Sequence, residues 1–128
     1  MKYILDTCVF IWLCTEPEKL TERVRKICSS VEPDLYLSLA SIWELQIKLL
    51  SGKFRMNTEL LQAVEELKKS NRLRILGITE SHVFGLKKLP SIHGDPFDRM
   101  LVAQALELNA TILTSDTKIA QYPVNVIW

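Results

Sequence analysis

The chain has 128 residues, a net charge of +1, 48% apolar and 24% charged residues, which is the profile of one globular domain spanning residues 1–128. The near-neutral balance excludes a polycation that holds nucleic acid through a global field, so any such contact has to come from a local patch. The run Tyr3-Ile4-Leu5 is too short for a signal peptide and Val9 to Cys14 too short for a membrane span, while three cysteines (Cys8, Cys14, Cys28) without CxxC spacing argue against a disulfide framework or a zinc knuckle, so a reducing cytoplasm is the expected setting.

Taken in order, Tyr3 to Leu5 predicts a first strand ending at Asp6, followed by an apolar helix over Val9 to Leu13 with Thr7 as its cap and Pro17 beyond it. Thr21 to Ser30 has helical spacing with a charged outer face. Pro33-Asp34 marks a turn, Leu35 to Leu37 a second strand, and Leu39 or Ser41 to Leu50 a long amphipathic helix with Gly52 just past its end. Thr58 is expected to cap a helix reaching about Asn71, with Leu60, Leu61, Val64 and Leu67 on its core face. Arg74 to Ile78 reads as a third strand, and Thr79 opens a helix that ends before Pro90. After the turn at His93-Gly94, Asp95 precedes Pro96 as an N-cap precedes a proline at the first helical position. The apolar pattern through Leu108 predicts a mostly buried helix, and Asn109 stops it. Ala110 to Leu113 is a fourth strand, Thr117 to Ala120 a short helical turn, and Val124 to Ile127 a last strand. Strands alternating with helices give an α/β three-layer sandwich, a mostly parallel sheet of four to five strands covered on both faces.

In such a fold the helix N-termini and the C-terminal ends of the strands share one edge, where open α/β sheets bind ligands. Asp6, Glu44, Asp95, Asp98 and Asp116 all map to that edge. Each also has a local explanation. Asp6 and Asp95 can cap helices, Glu44 completes a Ser41-x-x-Glu44 capping box for which Ser38 competes, and Asp116 can begin a turn. Convergence of all five is harder to explain, because two unit charges about 4 Å apart repel by about 4 kcal/mol at an effective dielectric near 20. Trapped protons or a hard divalent cation relieve such a cluster, and oxygen-only ligands favour Mg²⁺ or Mn²⁺ over zinc. Carboxylate-held Mg²⁺ suits phosphodiester hydrolysis. His82 reads as a helix-surface residue, His93 as a turn residue and Cys8 as a small packing residue. No P-loop or GxGxxG is present.

These residues carry a resemblance. Ile4-Leu5-Asp6-Thr7, Ser41-Ile42-Trp43-Glu44, Asp95-Pro96-Phe97-Asp98-Arg99 with Leu101 to Ala105, and Leu113-Thr114-Ser115-Asp116 occur in order across nearly the whole chain. The sequence resembles a PIN domain, the ribonuclease fold of VapC-type toxins in toxin–antitoxin pairs. The resemblance implies a Mg²⁺- or Mn²⁺-dependent endoribonuclease in which water attacks the phosphorus, restrained by a cognate antitoxin and forming a homodimer. It implies Asp6, Glu44, Asp98 and Asp116 as the catalytic and metal-binding quartet, with Asp95 ranked below them. Thr7 and Thr114 or Ser115 would orient the carboxylates. Arg99 is a candidate for a phosphate or for a salt bridge, and Lys48, Lys53 and Arg55 for tracking an RNA backbone. Trp43 and the aromatics of the first helix, Phe10 and Trp12, are candidates for partner-facing surface or for core.

Two other classes compete. A phospho-receiver switch needs paired acids after strand one, an aspartate after strand three and a lysine near the last strand, and the chain lacks all three. A non-catalytic PIN-fold interaction module is the alternative that loss of an acid would favour, and all four acids are present.

Overall fold

A computed structural model describes residues 1–128. Five strands, β1 (Lys2–Leu5), β2 (Asp34–Ser38), β3 (Arg74–Leu76), β4 (Thr111–Leu113) and β5 (Asn125–Ile127), form one sheet in the order β3-β2-β1-β4-β5. Every pairing is parallel, with Ile4 opposite both Tyr36 and Ile112. Six α-helices connect the first four strands in pairs: α1 (Thr7–Thr15) and α2 (Glu22–Ser29) after β1, α3 (Leu39–Leu50) and α4 (Leu60–Ser70) after β2, and α5 (Glu80–Gly85) and α6 (Pro96–Leu108) after β3. Short 3-10 turns occupy Pro17–Lys19, Leu86–Lys88 and Ile119–Gln121. The strand order separates this sheet from the 2-1-3-4-5 arrangement of receiver domains.

The period-two alternation of strand side chains divides the core. Tyr3, Leu5, Leu35, Leu37 and Leu113 face one layer, where they meet Val9 and Phe10 of α1, Val24 of α2, Leu45 of α3 and Val64 and Leu67 of α4. Ile4 and Ile112 face the other, against Leu101, Val102 and Ala105 of α6 and Ile119 and Tyr122. Parallel strands covered on both faces have no solvent side, so β1 is buried from Tyr3 to Leu5 and β4 throughout, with Ile4, Leu5, Ile112 and Leu113 as their apolar centre. Met100 to Ala105 of α6 are all buried, as an apolar helix lying on a sheet must be. No helix is long and apolar enough to cross a membrane.

The helix ends differ from expectation in a few places. Asp6, not Thr7, caps α1, and its carboxylate accepts the Thr7 N–H. Ser38, not Ser41, caps α3, so Glu44 lies in the second turn and belongs to no capping box. Glu59 is the N-cap of α4 and gives no side-chain bond, so Thr58 has no capping role. α5 is only six residues long, and His82 is buried rather than superficial. Its Nδ1 accepts the Thr79 N–H while Thr79 Oγ1 accepts the His82 N–H, closing a reciprocal cap. α3 and α6 stop as expected, with Gly52 and Asn109 both at positive φ.

The chain moves outward from β1 to β3, returns, and continues on the other side of β1 with β4. The order of connection therefore reverses between β1 and β4, which opens a crevice at their C-terminal ends. Asp6 N–H donates to the Leu113 carbonyl at 3.0 Å and so extends the pairing of these two strands to the lip of the crevice.

Candidate active site

Asp6 follows β1 and its carboxylate is fixed through both oxygens. Oδ1 accepts the Thr7 N–H at 2.7 Å, and Oδ2 accepts the Thr114 hydroxyl at 2.7 Å. Thr114 Oγ1 also accepts the Asp116 N–H at 2.9 Å, so one buried hydroxyl sets the positions of two acids. Asp116 Oδ1 then accepts the Lys118 N–H at 2.8 Å, the turn its sequence suggested. Ser115, the alternative to Thr114, is exposed and bonds to neither acid. On the other side, Thr7 Oγ1 lies 2.9 Å from Glu44 Oε1 and 3.0 Å from Ser41 Oγ. With one proton to give, Thr7 donates to the carboxylate and accepts from Ser41. Asp6 is 7% exposed and Glu44 8%.

Asp95 is the N-cap of α6. Its Oδ1 accepts the N–H groups of Phe97 and Asp98 at 2.9 and 3.0 Å. Asp98, in the first turn of the helix, bonds instead to His93, whose Nε2 lies 3.0 Å from Oδ2. His93 is thus more than a turn residue. Lys48 Nζ lies 3.1 Å from Glu44 Oε2, an i,i+4 pair that neutralises the buried glutamate. Arg99 is turned inward, donating to the Pro90 and Leu86 carbonyls and to Tyr122 Oη, and it pairs with no acid. Lys53 and Arg55 are exposed and outside any salt bridge.

The electrostatics match this crowding. Burial, with the charges of Asp98 and Asp116 added, pushes the Asp6 carboxyl from 3.8 up to about 6, against the pull of Thr114 and the Thr7 N–H. Asp98 is raised as well, by burial and by Asp95 and Asp116, with the His93 hydrogen bond acting in the opposite direction. Lys48 is raised chiefly by its bond to Glu44. Cys8 is exposed beside these acids, not packed as expected, and partial burial of its side chain together with the field of Asp6 raises the thiol. A protonated thiol among carboxylates is a poor nucleophile.

The carboxylates do not form a closed cage, since no three acids, histidines or cysteines stand close enough together to hold one ion. The donor set nonetheless fits a hard cation. It offers oxygens only, and two of its carboxyls, Asp6 and Asp98, are raised by burial and by the charges of neighbouring carboxylates. Mg²⁺ keeps several waters and takes one or two carboxylates, so a partial shell suits it.

Beside the acids, Glu44, Ile47, Lys48, Lys53, Asp95 and Phe97 line an open groove of about 320 Å³. Trp43 stands at its rim, 59% exposed, with its ring edge-on to Phe97 at 5.4 Å. Leu39, Trp43, Ile47 and Leu50 make an exposed apolar stripe along α3. The aromatics of α1 are different. Phe10 is fully buried and Trp12 packs against Trp128.

Sequence reading missed Ser41 and Tyr122 as parts of this site, and it undervalued His93. Their partners lie 34 and 29 residues away in the chain, beyond any local pattern.

Comparison with known proteins gives the arrangement a family. The chain is similar to Ribonuclease VapC22 of Mycobacterium tuberculosis, 26% identical over 120 residues that cover 93% of this chain and 90% of that one. Its fold is similar to the structure of VapBC2 from Rickettsia felis bound to a DNA fragment from their promoter, with a TM-score of 0.76 at 16% identity, covering 99% of this chain and 98% of that one. It is also similar to FitAcB from Neisseria gonorrhoeae, with a TM-score of 0.64 at 25% identity over 98% of this chain and 96% of that one. The PIN domain model matches residues 3–125, nearly the whole length, and the chain belongs to the PIN domain family.

Proposed function

We propose that this protein is a metal-dependent endoribonuclease, the toxin of a toxin–antitoxin pair, with Asp6, Glu44, Asp98 and Asp116 as its working carboxylates. The observation that carries the reading is the convergence of buried Asp6 with Asp98 and Asp116, whose charges repel, at the crevice between β1 and β4 of a PIN domain, with buried Glu44 tied to Thr7 beside them. Similarity to a ribonuclease and to VapBC2 and FitAcB supports the RNA substrate and the antitoxin partner.

Asp6 and Asp98 are proposed to hold Mg²⁺ or Mn²⁺, with Asp116 and Glu44 reached directly or through water and Asp95 serving chiefly as the helix cap. When bound, such an ion lowers the pKa of a water and stabilises negative charge on phosphate and leaving oxygen. The protein's own contribution is alignment. Thr114 holds Asp6 and the Asp116 backbone together, Thr7 joins Glu44 to the first residue of α1, and Asp95 fixes the start of α6, which carries Asp98. Lys48 is committed to Glu44, so backbone tracking falls to Lys53 at the groove and to exposed Arg55 two residues on. The exposed stripe on α3 supports a protein partner, whether antitoxin or second copy.

The test is cleavage of a labelled total-RNA pool by purified, antitoxin-free protein in Mg²⁺, in Mn²⁺ and in chelator, beside Asp6→Asn. Discrete products that need metal and vanish in the variant establish the nuclease. Equal cleavage by the folded variant removes Asp6 from the mechanism.

A further inference from the structure

Three polar side chains from three segments form a single hydrogen-bonded line that ends on Asp98. Arg99, in α6, donates through Nη1 to the Pro90 carbonyl at 2.9 Å and to Tyr122 Oη at 3.0 Å, and through Nη2 to the Leu86 carbonyl at 3.3 Å. Tyr122, which follows the Ile119–Gln121 turn and is 3% exposed, places Oη 2.7 Å from His93 Nδ1. His93, from the loop before α6, places Nε2 3.0 Å from Asp98 Oδ2.

The line has a direction. A guanidinium only donates, so Arg99 takes up a lone pair of the phenol oxygen. The phenol proton then has two acceptors in reach, His93 Nδ1 at 2.7 Å and the His93 carbonyl at 3.5 Å. The shorter contact is the real hydrogen bond. With Nδ1 accepting, the neutral imidazole carries its N–H on Nε2, the nitrogen that faces Asp98. The reverse tautomer sets a bare ring nitrogen against a carboxylate oxygen at 3.0 Å, acceptor against acceptor.

We propose that His93, held in one tautomer by Tyr122 and Arg99, is the positioning residue of Asp98. It ties Oδ2 to the protein and leaves the other carboxylate oxygen for a cation. The inference deepens the nuclease reading and rests on it for its consequence. It also gives Arg99 a structural duty: the arginine sets the polarity of a chain that ends on the acid one position before it. Groups that orient a ligating carboxylate typically contribute 10–100-fold to metal affinity.

Two variants and two measurements test it. Metal-free protein is titrated with Mn²⁺ by calorimetry as wild type, His93→Phe and His93→Gln, each with its melting temperature, and the His93 ring-nitrogen NMR shifts are recorded for wild type and Tyr122→Phe. Phe keeps the ring but lacks the donor, and is expected to weaken Mn²⁺ binding by roughly 10–100-fold. Gln can place an amide N–H near the position of Nε2–H and is expected to recover most of the loss at a similar melting temperature. The wild-type ring is expected to show its proton on Nε2, and Tyr122→Phe a mixture of tautomers. A proton on Nδ1 in the wild type, unaltered Mn²⁺ affinity in His93→Phe, or losses in both variants that follow melting temperature overturn the proposal. Wild-type protein that neither binds Mn²⁺ nor cleaves RNA overturns the nuclease reading and this one with it, whereas wild-type binding with an indifferent His93→Phe overturns this one alone.

Discussion

Replacing Asp6 by asparagine is expected to stabilise the metal-free protein at neutral pH while abolishing its activity. The Asp6 carboxyl moves from 3.8 to about 6, an upward shift of about 2 units. At 1.36 kcal/mol per unit, the ionised carboxylate costs the folded state about 3 kcal/mol at pH 7. Asparagine removes the charge but keeps only one acceptor for the two donors, Thr7 N–H and Thr114 O–H, a loss of about 1–1.5 kcal/mol. The net gain is about 1–2 kcal/mol, or roughly 3–8 °C in melting temperature for a chain of this size. The sign with pH follows from linkage. A raised carboxyl binds its proton more tightly when folded, so its contribution is fully present below pH 3.8 and is lost as pH rises through about 6. The substituted amide cannot titrate, and the difference between variant and wild type therefore grows from pH 4 to pH 7 and is level above. Thermal melts of both proteins in chelator across this range measure it, with subtraction removing the acids that do not interact with Asp6. A difference that is independent of pH, or that favours the wild type at pH 7, refutes the argument that Asp6 is held ionised at a cost.

Thr114→Val keeps the shape and removes the hydroxyl that holds both Asp6 and the Asp116 N–H. It is expected to lower cleavage at least tenfold and to cost about 1–3 kcal/mol in denaturant melts, the range for buried groups left unpaired. Leu101→Ala opens a cavity where α6 meets the sheet, with Leu101 only 1% exposed, and is expected to cost about 2–5 kcal/mol by urea titration without a specific effect on metal binding. Lys53→Ala with Arg55→Ala is expected to raise KM for RNA and flatten its salt dependence while kcat changes little, as salt-titrated kinetics will show.

Much of this site was legible because its parts are defined by element ends. Asp6 closes an apolar strand, Asp95-Pro96 announces a helix start, and Thr114 to Asp116 follow another apolar run, so topology alone carries them to one edge. The rest depended on contacts that only the fold creates. Nothing local distinguishes Tyr122 or ties it to His93, and nothing in Ser41 reveals that Thr7 reaches it. Lys48 stands four residues after Glu44 and was readable as an ion pair, but the burial of Glu44, whose charge that pair neutralises, follows from packing of α3 against α1 and α6. His82 misled for a different reason. Histidine at the third helical position can close a cap as glutamate does, a use that a surface reading of a charged-looking helix overlooks.

Why the fold tolerates this edge is a question of magnitudes. Asp6 caps α1, Asp95 caps α6 and Asp98 lies in its first turn, so the positive ends of two helices face the acids. A helix end contributes about 0.3–1 kcal/mol to a nearby carboxylate. That is smaller than the cost of about 3 kcal/mol on Asp6 alone, and the raised carboxyls already include it. The helices therefore moderate the repulsion without cancelling it. A cation that binds only the folded state adds RT ln(1 + [L]/Kd), about 2.7 kcal/mol at a hundredfold excess over Kd. This matches the deficit, and it yields a last prediction. Adding Mn²⁺ to chelator-treated wild type is expected to raise its melting temperature by several degrees and to flatten its decline between pH 5 and 7, while Asp6→Asn, already relieved of the charge, responds weakly. Equal shifts in the two proteins would mean that the ion acts elsewhere on the surface and that the acids at the β1–β4 crevice are relieved by protons instead.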